Sequence, residues 1–202
     1  HYNEGLLMRI TLSRFVATLA GLMLGVALAA TAAEPVIQDK ATATAVFAGG
    51  CFWCMEPPYD ALAGVVATTS GFTGGQKANP SYKEVSGGNT GHIEAVQITY
   101  DPTKVRYEKL LDVYWRNVDP LDDGGQFCDR GHEYTTAIFY QNEEQKKLAE
   151  QSKSAIEKQL GRPVATVIRP AAPFYAAEDY HQDYYLKNPV RYKYYRYSCG
   201  RD

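Results

Sequence analysis

The sequence predicts one domain with an α/β or α+β sandwich fold. Short apolar segments with the composition of strands alternate along the chain with amphipathic helical segments, which is the pattern of helices packed on a sheet. The chain has 202 residues, 45% of them hydrophobic, so it is long enough to bury a core of its own. After the first 33 residues, the sequence shows neither an internal repeat nor a low-complexity linker that would divide it.

Five segments carry strand signals and two carry helix signals. The strand segments are short runs of apolar and β-branched residues, and the second of them ends in a glycine turn. The first helical segment has an apolar stripe that includes Leu110, Tyr114 and Val118. The second begins at the cap residue Asn142 and stops at Gly161. The predicted strands cover residues 42–48, 64–75, 92–102, 135–140 and 163–170, and the predicted helices cover residues 107–118 and 142–161.

The N-terminal segment is predicted to be a secretory signal peptide. A basic start at Arg9 and Arg14 leads into an uncharged apolar run, and the residues A-T-A at 30–32 match the A-x-A cleavage pattern. A retained membrane anchor is the alternative for a run of this length. The predicted organisation is an upstream segment before a plausible initiator Met8 at residues 1–7, a signal peptide at 8–32 and a single catalytic domain at 33–202.

The composition excludes some classes of partner and highlights the C-terminal tail. The net charge of −2 gives no electrostatic footprint for nucleic acid.

The C-terminal tail is predicted to be long and irregular, with its aromatic residues packed on the domain. A secreted binding module that uses this tail as its contact surface is the alternative. Six of the 16 tyrosines lie there: Tyr184, Tyr185, Tyr192, Tyr194, Tyr195 and Tyr197.

Two of the four cysteines lie in the motif C-F-W-C at residues 51–54, after a predicted strand and two glycines. The unpaired N–H groups at a helix start would favour the Cys51 thiolate, and the glycines would leave its sulfur uncovered. Pro57 and Pro58 fit poorly inside a helix that starts at Cys51. We therefore expect either a short first turn or a helix that begins near the prolines.

Three kinds of chemistry use this C-x-x-C spacing. A zinc site needs a second pair of ligands, but Cys128 and Cys199 are single and far apart in sequence, so no metal is expected. A thioredoxin-like disulfide exchanger remains open. A thiol peroxidase or reductase would use one attacking cysteine, a pocket and a resolving cysteine elsewhere. Phe52 and Trp53 favour this last class, because two large rings can hold a small apolar group against the thiol.

Glu94 is a candidate general acid. The alternation of the strand at residues 92–102 places Glu94 on the same face as Val96, Ile98 and Tyr100. A carboxyl on an apolar face loses water, so its pKa should rise and it could donate a proton. A frayed strand start with Glu94 in water is the alternative.

The segment between Val118 and Thr135 is predicted to be a long, acidic, glycine-rich loop, and loops of this length in compact domains are often functional. It does not match a calcium loop, because Leu121 stands where a ligand is required. Cys128 within it is expected to be a buried filler residue. His181 is expected to be a packed histidine with tyrosine neighbours.

Four blocks of sequence together resemble the peptide methionine sulfoxide reductase A family. The G-C-F-W block is highly specific, and the resemblance runs from about Ala45 to Asp202. It implies a two-layer α/β sandwich with a mixed sheet and packed helices. The blocks are AGGCFWCMEPPYD, NPSYKEVSGGNTGHIEAVQITYDP, QFCDRGHEYTTAIFY, and AEDYHQDYY with YSCG.

The resemblance implies a role for each matching residue. Cys51 matches the nucleophile, Glu94 the acid that protonates the sulfoxide oxygen, and Cys199 the resolving cysteine. Cys54 remains open between a second redox thiol, the resolving thiol and a space-filling residue, and the family pattern favours Cys199 over it. The implied substrate-binding residues are Phe52, Trp53, Tyr82, Asp129 and Tyr134.

The implied activity is reduction of methionine S-sulfoxide, free or in proteins, through a sulfenic acid and an intramolecular disulfide. A C-x-x-C thiol-disulfide oxidoreductase is the alternative. The expected enzyme is a monomer without a bound cofactor, reduced by an external thioredoxin-like dithiol. With the signal peptide, this predicts a bacterial periplasmic protein that repairs oxidised proteins, without nucleic-acid or membrane partners after cleavage.

Export can be tested by fractionating a bacterium that expresses the full chain. We expect the protein outside the cytoplasmic membrane with an N-terminus near Ala33, because the A-x-A pattern ends at Ala32. Recovery from the cytoplasm with residues 8–32 still attached would contradict the prediction.

Overall fold

The computed structural model describes residues 41–202, and the predicted upstream segment and signal peptide lie outside them. Within the described residues, no helix combines the length and the apolar character needed to cross a bilayer. The strands are β1 Ala43–Gly49, β2 Val65–Thr73, β3 Ile93–Tyr100, β4 Gly125–Gln126, β5 Asp129–Arg130, β6 Thr136–Tyr140, β7 Val167–Pro170 and β8 Tyr175–Ala176. The helices are α1 Phe52–Asp60, α2 Tyr82–Ser86, α3 Tyr107–Arg116, α4 Glu143–Leu160, α5 Tyr184–Lys187 and α6 Pro189–Ser198, with 3-10 turns at His132–Tyr134 and Asp179–His181.

Six strands form one mixed sheet in the order β7-β6-β1-β3-β2-β8, while β4 and β5 pair in a separate hairpin. Strand β7 runs parallel to β6, and the other neighbours are antiparallel. β3 lies between β1 and β2, so its backbone is hydrogen-bonded along both edges, and most of its side chains are buried. The predicted α/β fold with a mixed sheet is confirmed.

The main core lies between the sheet and the helices α1, α3 and α4. Phe47 of β1 and Ile98 of β3 meet Met55 of α1 and Leu110 of α3 in this layer. The opposite face of the sheet carries a smaller apolar cluster that Phe174 covers. Because strand residues alternate between faces, Glu94 belongs to the face that packs against the helices.

Helix α1 starts at Phe52 and contains both prolines. The expectation of a short first turn or of a helix that begins near the prolines is therefore wrong. The two prolines lack the N–H groups that would have bonded the carbonyls of Trp53 and Cys54. Packing offsets this loss, because Met55 and Tyr59 are fully buried and the Tyr59 hydroxyl donates to the Leu110 carbonyl at 3.3 Å.

Helix α4 shows the predicted boundaries. Asn142 accepts a hydrogen bond from the Gln145 N–H at 2.9 Å, and Gly161 closes the helix at a φ of 67°. Only a residue that tolerates the left-handed region ends a helix in this way without strain.

Two predicted loops contain more regular structure than expected. The loop after Val118 folds into the β4–β5 hairpin and a 3-10 turn. The buried Gln126 side chain binds it together by accepting from the Asp119 N–H at 2.7 Å and donating to the Asp119 carbonyl at 2.8 Å. The C-terminal tail is helical over α5 and α6 rather than irregular.

Candidate active site

The candidate nucleophile Cys51 lies at the junction between β1 and α1. Gly50 makes the turn with a φ of 79°, and a Cβ atom there would lie 2.5 Å from the Gln126 Cβ and 2.9 Å from Arg201 Nη2. The turn therefore requires glycine. The expectation of an uncovered sulfur is wrong, since Cys51 is only 6% exposed. The loop and the C-terminal segment close over the turn.

The electrostatic surroundings of Cys51 favour the neutral thiol. Burial raises its pKa well above the ordinary value, and the hydrogen bond with Cys54 and the charges of Glu94 and Asp129 raise it further. These effects oppose the helix N-terminus, so the surroundings favour the neutral thiol over the thiolate expected from the sequence.

Cys54 differs from Cys51 in that its pKa is lowered. Its side chain is fully buried, and its backbone N–H donates to the Cys51 carbonyl at 3.0 Å. The hydrogen bond from the Cys51 thiol lowers the pKa of Cys54 against the effect of burial, and the cations Arg201 and Arg196 favour the thiolate further. The interaction between the two sulfurs thus favours the thiolate at Cys54 over the thiolate at Cys51.

Glu94 approaches the start of α1 from β3. Its side chain is 2% exposed, which excludes the solvated alternative, and the Phe52 N–H donates to its Oε2 at 3.0 Å. Burial raises the pKa of Glu94 to about 8, while the Phe52 hydrogen bond opposes the rise and the charges of Asp129 and Glu133 add to it. Glu94 is therefore largely protonated at neutral pH and can act as an acid.

Tyr82 of α2 and Tyr134 of the 3-10 turn complete the polar side of the site. Their hydroxyls are hydrogen-bonded to each other, and both interact with Glu94 and Cys51. Burial, followed by the charge of Glu94, raises the pKa of Tyr82 to about 12 and raises the pKa of Tyr134 as well. Both hydroxyls thus stay protonated and can donate hydrogen bonds.

Phe52 and Trp53 form the aromatic side of the site. Phe52 is fully buried against Phe72 at 5.8 Å between ring centroids. Trp53 is half-buried, stacks on Tyr184 at 3.7 Å, and donates from its indole Nε1 to His181 Nδ1 at 3.0 Å. His181 is the packed histidine expected, and burial lowers its pKa, which keeps it a neutral acceptor.

Asp129 is half-buried beside this cluster, where the Tyr195 hydroxyl donates to its Oδ2. Burial raises the pKa of Tyr195, and interactions with Cys51 and Asp129 raise it further. In the sequence, Tyr195 is one of six tyrosines in the tail and has no predicted role of its own. Its spacing of four residues before Cys199 was the available signal.

Cys199 forms a disulfide with Cys128, with a Cα–Cα distance of 5.2 Å. The prediction of Cys128 as a buried filler is wrong, since the residue is exposed and covalently paired. Cys199 is half-buried and in this state is not free to react with Cys51. The resolving role that the resemblance implies for Cys199 stays a prediction.

Comparisons with known proteins give a consistent result. A family model described as peptide methionine sulfoxide reductase matches residues 43–202. The peptide methionine sulfoxide reductase MsrA of Bacillus licheniformis is 56% identical over 164 residues, which cover 78% of this chain and 88% of that protein.

Solved structures show the same likeness. Mxr1 from Saccharomyces cerevisiae in reduced form is 32% identical with a TM-score of 0.70, and the match covers 73% of this chain and 86% of that one. Methionine sulfoxide reductase A of Corynebacterium diphtheriae is 32% identical with a TM-score of 0.66, over 74% and 76% of the two chains. Mxr1 in complex with Trx2 matches at 23% identity with a TM-score of 0.51, over 71% and 84% of the two chains, which shows the fold alone.

The raised pKa of Glu94 predicts a pH dependence of stability. Between its ordinary pKa of 4.5 and its folded pKa of about 8, the folded protein holds a proton that the unfolded chain releases. The contribution of Glu94 to the free energy of unfolding is therefore complete below pH 4.5 and falls as pH rises to about 8. The slope is at most about 1.4 kcal/mol per pH unit.

Urea unfolding of wild type and Glu94→Gln between pH 4.5 and 8 measures this contribution, because glutamine keeps an acceptor oxygen but does not titrate. We expect the stability of the variant relative to wild type to increase across this range. The exposed substitution Glu150→Gln on α4 should follow wild type. Parallel curves for wild type and Glu94→Gln would show that Glu94 is ionised in the folded protein.

Proposed function

The chain belongs to the peptide methionine sulfoxide reductase family, and we propose that it reduces the S epimer of methionine sulfoxide, free or within proteins, through a sulfenic acid at Cys51. Members of this family are oxidoreductases, and reduction of methionine sulfoxide is the activity of this chain. The observation that carries the proposed mechanism is the convergence of a buried carboxylic acid and two tyrosine hydroxyls on the Cys51 thiol.

The first step is activation of the sulfoxide. A sulfoxide sulfur becomes electrophilic when its oxygen accepts a proton, and Glu94 is a protonated acid near neutral pH. Tyr82 and Tyr134 would donate hydrogen bonds to the same oxygen as negative charge develops on it. Phe52 and Trp53 would hold the S-methyl group in an apolar pocket, which fixes the sulfur against the nucleophile.

The second step is attack by Cys51 on the sulfur. Its thiol proton passes to the Cys54 thiolate, with which it is already hydrogen-bonded. The Cys51 sulfur bonds to the substrate sulfur, whose oxygen has accepted the Glu94 proton. The resulting hydroxyl group then passes from the substrate sulfur to the Cys51 sulfur, so the original S–O bond and the new S–S bond both break as methionine leaves. The products are methionine, Cys51 sulfenic acid, a neutral Cys54 thiol and ionised Glu94, so atoms and charge balance.

The third step is resolution of the sulfenic acid by a thiol, which forms a disulfide and releases water. Cys54 is the thiol in contact with Cys51, whereas Cys199 is bonded to Cys128. We therefore assign the first condensation to Cys54. When reduced, Cys199 and Cys128 then exchange with the Cys51–Cys54 disulfide, which keeps Cys199 in the resolving pathway.

An external dithiol completes the cycle. Cys51 and Cys54 are buried and Cys128 is exposed, so the outer disulfide is the one that a protein reductant can reach. Yeast Mxr1 has been solved in complex with Trx2, which supports a thioredoxin-like protein as the donor. For an exported enzyme, that donor would be a dithiol protein of the periplasm.

The separate S and R epimers of methionine sulfoxide, with dithiothreitol as reductant, test the proposed activity. Wild type should reduce the S epimer and leave the R epimer unchanged. Cys51→Ser should lose all turnover, and Glu94→Gln should lower kcat by roughly 10²- to 10⁴-fold because the acid is lost, while Glu150→Gln keeps wild-type rates. Reduction of insulin disulfides together with indifference to Glu94→Gln would favour the thiol-disulfide exchanger instead.

Mass mapping after one turnover tests the order of the thiols. A Cys128→Ser/Cys199→Ser double variant should end with a Cys51–Cys54 disulfide, because the two thiols are already in contact. Cys54→Ser should accumulate a sulfenic acid that dimedone traps. A Cys51–Cys199 disulfide that forms in Cys54→Ser as fast as wild type completes resolution would assign this step to Cys199.

A further inference from the structure

Helix α6 covers the site that the substrate must enter. Tyr195 on this helix donates a hydrogen bond to Asp129, and its hydroxyl interacts electrostatically with the Cys51 thiol. Its ring also lies edge-on to Trp53, with 6.2 Å between centroids. Tyr195 therefore lies between the polar wall and the aromatic wall of the proposed pocket, on the side of the attacking sulfur. A methylsulfinyl group cannot reach the sulfur along this side until the tyrosine leaves.

The end of α6 is fastened to the β4–β5 hairpin by two neighbouring links. One is the hydrogen bond from Tyr195 to Asp129, and the other is the disulfide between Cys199 and Cys128. The two α6 positions lie one turn apart, with the Cys199 N–H donating to the Tyr195 carbonyl at 3.0 Å. The covalent link thus keeps the hydroxyl and the carboxylate at a high effective concentration.

Apolar packing holds α6 only weakly. The helix has no buried residue, and Val190, Tyr194 and Tyr197 are 82%, 73% and 78% exposed. Arg201, just beyond the helix, donates to the Gly49 carbonyl at 3.0 Å and lies over the Phe127 ring. With few buried contacts, the segment belongs to the part of the fold that opens at low cost once its covalent link is removed.

We propose that α6 is a lid that the Cys128–Cys199 disulfide locks shut. While the disulfide is intact, Tyr195 occupies the position that the sulfoxide must take beside the nucleophile. An external dithiol reduces the disulfide to two thiols and is itself oxidised to a disulfide, after which α6 moves aside and the pocket opens. This inference rests on the proposed function.

The lid makes electron supply a condition for substrate entry. Exchange between the Cys51–Cys54 disulfide and the thiols of Cys128 and Cys199 forms the outer disulfide again. The lid then closes, and it stays closed until a reductant arrives. An enzyme without reductant therefore does not admit a second sulfoxide. Cys51 is protected in this closed state from oxidants that would carry it to the sulfinic acid.

The wild-type protein in its two redox states provides the first test. One sample keeps the outer disulfide, and the other is reduced with dithiothreitol and freed of it without air. The rate at which iodoacetamide modifies Cys51 is followed by peptide mass mapping. We expect modification to be at least about tenfold faster in the reduced sample, since opening breaks a hydrogen bond to a charged group. Equal rates in the two samples would overturn the lid.

Release of α6 would also withdraw Arg196 and Arg201 from Cys54, which by itself lowers thiolate character and slows alkylation. Exposure of Cys51 also removes the burial that raises its pKa, so a faster reaction reports both access to the sulfur and the reactivity that solvent restores, and both require α6 to move aside.

Two single variants, studied with the disulfide intact, isolate the role of Tyr195. Tyr195→Phe keeps the ring but removes the hydroxyl that binds Asp129, and it should speed modification of Cys51 several-fold. Tyr194→Phe changes the exposed neighbour on the same helix and should match wild type. Identical rates of Cys51 modification in both variants would show that the Tyr195 hydroxyl does not hold the lid closed.

The Cys128→Ser/Cys199→Ser variant separates failure of the lid from failure of the proposed function. It keeps both inner thiols, so its Cys51 should react with iodoacetamide at the fast rate without prior reduction, and it should reduce one equivalent of methionine S-sulfoxide. Fast alkylation without oxygen transfer would contradict the proposed function but support the lid. Oxygen transfer with slow alkylation would contradict the lid but support the proposed function.

Discussion

Exclusion of water at one end of the central sheet controls the chemistry of this site. The end of β1, the start of α1 and the rim of β3 meet there, and a carboxyl and two thiols share a dry space. Burial keeps Glu94 protonated near neutral pH, which makes it an acid. Burial also keeps Cys51 neutral, so its activation depends on transfer of a proton to Cys54. Burial therefore favours the protonated form of both the acid and the nucleophile.

The same burial divides the four cysteines into an inner and an outer pair. Cys51 and Cys54 lie where an external protein cannot reach them, and the disulfide between Cys128 and Cys199 borders the solvent. A nucleophile that attacks a small thioether oxide gains from a closed pocket, while regeneration by a protein dithiol needs an accessible sulfur. Two pairs at different depths satisfy both requirements. The helix between them links access to the pocket with the state of the outer pair.

Much of the fold follows from local rules in the sequence. Alternation placed Glu94 on the apolar face with Val96, and the structure buries both there. The cap at Asn142 and the stop at Gly161 bound α4 as predicted. Local rules failed at α1, where burial of Tyr59 offsets the hydrogen bonds that the prolines remove. They also failed in the tail, because residues 184–198 form helices that pack and bond across distant parts of the chain.

The sequence by itself determined the family, the nucleophile motif and the face on which the acid lies, because these depend on residue identity and on spacings of a few positions. Only the tertiary structure decided which cysteines pair, which of the two inner thiols has the lower pKa and what covers the site. Cys128 and Cys199 are 71 positions apart, and their pairing depends on the topology that brings the hairpin to the end of α6. The lowered pKa of Cys54 depends on Cys51 and likewise on Arg201 and Arg196, which approach it from the far end of the chain. Contacts of this kind are set by the packing of remote elements, and no short-range pattern encodes them.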